Sequence, residues 1–164
     1  MAAAEIVDFT AGRVLVVGEP RVEGLIEGGA VAVPAPRSAG ELRGAIAADA
    51  PFDGAVIAGW DKDVDLVALV DAVRRAVEVG GRVAFVAPVT QRGWRRARSS
   101  VIGMLRRQRP IPLEDLCGAL LRGRLVDVRA RPLEGAVGHA IVWAVVPPRW
   151  REDVERSEVR PSGG

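Results

Sequence analysis

Residues 52–88 carry the pattern that most limits what this chain can fold into. FDGAVIAG is followed by DKDVDLVALVDAVRRAVEVGG and then by RVAFVAP. The two outer runs do not alternate polar and apolar residues, so 54–59 and 82–88 read as strands buried on both faces. Between them, apolar residues at 66, 69, 70, 73 and 77 share one face of a helix. The pattern starts that helix near Asp63 and closes it with a Gly80-Gly81 cap. Parallel strands need a crossover of a dozen or more residues, and strand, helix and strand at this spacing make a right-handed one. These runs point to an α/β architecture with a mostly parallel sheet.

The flanking segments extend that sheet. RVLVVGEP (13–20) reads as a further buried strand, Val14 to Val17, that stops at a glycine. RVEGLIEG (21–28) supports a short helix at most, because Gly24 and Gly28 interrupt it. Ala30 to Val33 form a short apolar run closed by Pro34 and Pro36, which suits an edge strand because proline cannot donate to a ladder. Ser38 caps a predicted helix over 39–48, with Glu41 completing a capping box. Leu113 to Leu121 are helical and end at Gly123, and RLVDVRARPLEG and GHAIVWAVVPP read as an antiparallel pair. Residues 1–12 are expected to be a loosely docked lead-in, 13–148 one domain, and 149–164, with balanced charge and little to bury, a mobile tail.

Composition narrows the class further. A length of 164 residues with 49% hydrophobic content suits one domain with a real core. No apolar run approaches the roughly 18 residues that cross a bilayer. The opening MAAAEIVDFT lacks a basic region, and Cys117 is alone, so a reducing cytoplasmic setting is expected. Lys62 is the only lysine beside an abundance of arginine, tyrosine is absent, and His139 is the only histidine. Few residues are therefore available for a His–carboxylate pair.

The ordered series FDGAVIAGW, DAVRRAVEVGGRVAFVAP and LEDLCGALLRGRLVDVRARPLEG, with the final hairpin strand, resembles class I S-adenosylmethionine-dependent methyltransferases over about residues 13–147. The resemblance implies a three-layer Rossmann-like fold whose sheet is mostly parallel and ends in an antiparallel hairpin. It also implies a cofactor pocket at the carboxyl ends of the first, second and fourth family strands, the switch point of the sheet. Three departures fall on that pocket. The family runs from an acid into a GxGxG turn after the first strand, whereas here Val16 and Val17 precede Gly18-Glu19-Pro20-Arg21. The family has a ribose-binding acid after the second strand, and AVAVPAPRS offers none. Only 33 residues separate Gly18 from Phe52, where the family fits two strand–helix units, so one edge unit is expected to be missing.

Individual residues carry competing readings. The GEPRVEG turn is either structural or an anion-binding turn through the Gly18 and Arg21 amides. Trp60, after Gly59, either stacks on a bound ring or plugs an emptied pocket. Residues 92–109 carry Arg92, Arg95, Arg96, Arg98, Arg106, Arg107 and Arg109 and no acid. That stretch is either a solvated basic face or a surface for RNA, anionic lipid or an acidic protein. His139 lacks companions for a zinc site, and Cys117 reads as a small core residue.

These features lead to a methyltransferase-fold protein that no longer binds S-adenosylmethionine normally, has no catalytic or metal residue, needs no cofactor, and joins a protein partner or a second copy of itself. The alternative is a small active methyltransferase with Gly18, Glu19, Gly59 and Trp60 lining the cofactor. Methyl transfer needs mainly alignment, so lack of a catalytic motif does not exclude it. The third expectation is nucleic-acid or anionic-surface binding through 92–109.

Overall fold

The structure, a computed structural model, describes residues 12–18, 29–90, 109–133 and 137–148. The strands are β1 (Val14–Val17), β2 (Ala30–Val33), β3 (Phe52–Ile57), β4 (Val77–Thr90), β5 (Ile111–Pro112), β6 (Val126–Pro132) and β7 (His139–Val145). The helices are α1 (Ala39–Ile46), α2 (Leu66–Ala76) and α3 (Leu113–Arg122). The sheet runs β2-β1-β3-β4-β7-β6, with β5 beside β4. The pairs from β2 to β4 are parallel, and β4–β7 and β7–β6 are antiparallel. This is the expected mostly parallel sheet with its terminal hairpin. Between β1 and β3 the described residues contain one strand, β2, and it pairs with β1 alone, on the edge where Pro34 and Pro36 fit.

The unbroken apolar runs are explained by burial on both sides. Leu15, Val17, Ala55, Ile57, Val83 and Phe85 point into one cluster with Leu42 and Ile46 of α1, Leu69 and Val73 of α2, and Leu116 and Leu120 of α3. Their alternating neighbours Val14, Val16, Val56, Ala58, Ala84 and Val86 form a second cluster with Leu133 and Ile141. Successive side chains of a strand point to opposite faces, so a strand covered on both sides has no polar positions to offer. All three described helices pack on the first face.

Helix ends depart from the sequence pattern in informative ways. α2 starts later than Asp63, because Asp63 donates its amide to Asp61 Oδ1 (3.0 Å) in a tight turn. Asp65 is the cap instead, its carboxylate accepting from Val67 and Ala68 (3.0 and 3.2 Å). The helix also ends earlier than expected. Val77 is extended and pairs with Phe52, so Gly80-Gly81 do not cap the helix but lie within β4. There the register jumps from Phe52↔Val77 to Gly54↔Arg82. Gly80, at φ +83°, donates to the Val146 carbonyl (2.9 Å), and a Cβ on Gly81 would fall 2.6 Å from the Asp53 carbonyl oxygen. A buried β-branched residue gains more from strand pairing than from a last helical turn.

α1 is shorter than 39–48, ending at Ile46. Ser38 Oγ accepts from the Glu41 amide (3.1 Å), as the capping box requires, while Glu41 Oε2 accepts from the Arg37 amide (2.9 Å), one residue before the cap. α3 ends one residue after Leu121 and is closed by Gly123. The lead-in 1–12, apart from Gly12, the short helix over 21–28, most of the basic stretch 92–109 and the tail 149–164 lie outside the described residues.

Candidate functional site

At the carboxyl ends of β1, β2 and β3 the backbone is drawn together. Gly18, the residue after β1, has φ +86°, and a Cβ there would lie 2.6–2.8 Å from the Cα, N and O of Gly59. Only glycine tolerates both the positive φ and so close a neighbouring backbone. The Gly18 amide donates to the Val33 carbonyl (2.9 Å) at the end of β2, and the Ala58 amide donates to the Val17 carbonyl (2.9 Å). Beyond these, the Asp61 amide donates to the Pro36 carbonyl (3.0 Å). Pro36 follows β2 and Asp61 follows β3, so this bond joins the loops of the two strands that flank β1.

Two carboxylates near these loop ends are engaged. Glu41 holds the Arg37 amide and Asp61 holds the Asp63 amide. Described residues 34–38, directly after β2, contain no acid. A nucleoside over β1 needs an acceptor for its sugar hydroxyls and open backbone for close approach. Among the described residues, 34–38 supply no such acceptor, and the Gly18 backbone is backed by Gly59. Glu19 and Pro20 lie outside the described residues.

Trp60 turns towards β4. Its ring meets the edge of Phe85 on β4, centroids 5.8 Å apart at 67°, and packs against the first-face core. From there it helps to wall a separate cleft of about 290 Å³. Ala87 of β4 and Ile111 of β5 supply its apolar floor, and Lys62, Asp63 and Arg109 its charged groups. β5 delivers Ile111 there by pairing with Val89 in parallel. Of the arginines in 92–109, Arg109 alone falls among the described residues, and it is exposed. The other six, Arg92, Arg95, Arg96, Arg98, Arg106 and Arg107, lie outside them.

The sequence pointed to Gly18, Gly59 and Trp60 as one site. The structure brings the two glycines together and sends Trp60 towards β4. Lys62, Asp63 and Ile111 were not anticipated as neighbours of Trp60, although the solitary lysine was a usable signal.

The remaining titratable groups stand apart. Among the described residues no group of His, Cys, Asp or Glu is arranged to hold a metal ion. His139 Nδ1 lies 3.2 Å from the Val137 carbonyl, to which it donates when it carries the proton, and its Nε2 is buried without a partner. Burial raises the Cys117 thiol above its ordinary pKa, which keeps it protonated and a poor nucleophile at neutral pH. No described helix is long and apolar enough to cross a membrane.

This sheet order, with a Gly-ended first strand and a terminal antiparallel hairpin, is the class I S-adenosylmethionine-dependent methyltransferase fold. Solved structures with that fold match the chain. The S-adenosylmethionine-dependent methyltransferase SibL in its apo form aligns with 90% of this chain and 54% of its own, at 19% identity and TM-score 0.57. Human N-acetylserotonin methyltransferase in complex with SAM aligns with 90% of this chain and 51% of its own, at 9% identity and TM-score 0.59. An O-methyltransferase structure from Nostoc punctiforme covers 88% of this chain and 55% of its own, at 11% identity and TM-score 0.60. The chain thus spans about half the length of the structures it matches. No protein-family model matches the sequence, and no curated protein does.

Proposed function

We propose that this chain is a binding or assembly module built on the methyltransferase fold, without S-adenosylmethionine over β1 and without catalysis of methyl transfer. The observation that carries the reading is the Asp61–Pro36 backbone bond, which joins the loops flanking β1 above a Gly18 already backed by Gly59. The lack of an acid in residues 34–38 supports it, since a charge-assisted hydrogen bond to the ribose contributes roughly 1.5–3 kcal/mol. Its partner is a protein or a second copy of the chain. Support for that comes from the two sheet edges, β2 and the largely exposed β6, which each pair on one side only among the described strands.

The second reading is a small active methyltransferase in which Gly18, Glu19, Gly59 and Trp60 line the cofactor. It draws on the SAM complex of the human N-acetylserotonin enzyme, whose fold the chain shares. Isothermal titration with S-adenosylmethionine separates the two. The module reading expects no saturable heat at millimolar ligand, and a micromolar dissociation constant overturns it in favour of the enzyme.

A further inference from the structure

The cleft beside Trp60 is distinct from the closed end of β1, and its chemistry does not depend on whether β1 holds a nucleoside. We infer that this cleft is a binding site for a small aromatic carboxylate. Its walls divide by chemistry. Trp60, Ala87 and Ile111 present ring and aliphatic surface, and Pro110 and Pro112 extend it. Lys62 and Arg109 bring two cations against the single carboxylate of Asp63. Neither cation makes a hydrogen bond or ion pair with another described residue, so both charges are free to meet a ligand.

The wall also has a fixed position. The edge contact with Phe85 holds the Trp60 indole from behind, and the Asp61–Pro36 bond anchors the loop that carries Trp60 and Lys62. Ile111 is held by its pairing with Val89. A pre-formed cleft loses little ordering entropy on binding. Its volume, about 290 Å³, falls at the small end of ligand pockets, which suits a single ring. The apolar wall favours a ring over inorganic phosphate, and the pair of cations favours a carboxylate over a neutral amide. Lys62, the only lysine in the chain, is a compact flexible charge suited to following a small anion.

Benzoate, benzamide and inorganic phosphate, titrated into the full chain and followed by ligand-observed NMR, test the site. Benzoate is expected to bind about tenfold or more tightly than either comparator, because one charge-assisted hydrogen bond separates it from the amide. The double variant K62Q/R109Q, altered at two exposed positions, is expected to lose benzoate binding by at least about tenfold with an unchanged urea midpoint. Equal binding of benzamide or phosphate, undiminished binding by the variant, or no benzoate binding at millimolar concentration would each overturn the assignment.

Discussion

Gly18 shows how tightly one residue can be held by the backbone of its own chain. A glycine after the first strand of such a sheet ordinarily leaves room for a nucleotide. Here the group that needs the missing side chain is Gly59 of the same chain. Gly18→Ala therefore acts first on stability. An L-residue at φ +86° costs about 1–2 kcal/mol, and a Cβ 2.6 Å from backbone adds more because backbone yields little. The expected loss is about 2–4 kcal/mol in urea unfolding. A variant as stable as the parent would show that Gly18 and Gly59 are not in contact.

At the scale of elements, α2 is tied together on its outer side by one acid and two bases. Asp71 accepts from Arg74 and from Arg75, each at 2.9 Å. Burial alone would raise its carboxyl, but the hydrogen bonds and charges of Arg74 and Arg75 outweigh that and hold it below the ordinary value. A carboxylate with a depressed folded pKa stabilises fully above its unfolded value near 3.8 and loses that contribution as pH falls through the folded value. Arg75 is largely exposed, so screening limits the gain. Asp71→Asn is expected to lower stability by about 0.5–1 kcal/mol at pH 7. Below the folded pKa of Asp71 the variant and parent should converge. Urea midpoints measured from pH 7 down to pH 2.5 check both statements, and a gap that stays constant with pH would refute the ionic origin.

For the whole molecule, stability is distributed from the middle of the sheet outwards. β3 and β4 have strand partners on both sides, and Ala55, Val56, Ile57 and Phe85 are fully buried. β6 has one partner, and six of its seven residues are exposed. Native-state hydrogen exchange should therefore protect β3 and β4 amides to near the global unfolding free energy and β6 amides far less. Equal protection of β6 in dilute solution would contradict this ordering.

Much of the sheet was legible because a strand buried on both faces has to be written as an unbroken apolar run. VLVV, GAVI and VAFVA admit little else. Ser38 was legible as a cap for the same local reason, whereas the pattern placed the start of α2 near Asp63. Only the folded loop shows that Asp61 turns the chain and Asp65 starts α2. The backbone contacts at the β1 end were beyond local reading altogether. They rest on backbone atoms of Gly18, Pro36, Gly59 and Asp61, and backbone groups carry no sequence signature. The sequence by itself determined the central strands and the bodies of the three described helices, since burial and periodicity act over a few residues, but not the strand start at Val77 or the short β5. Which loop ends meet, and therefore which cleft stays open, was decided by the tertiary structure, because that depends on how strands far apart in the chain are ordered side by side.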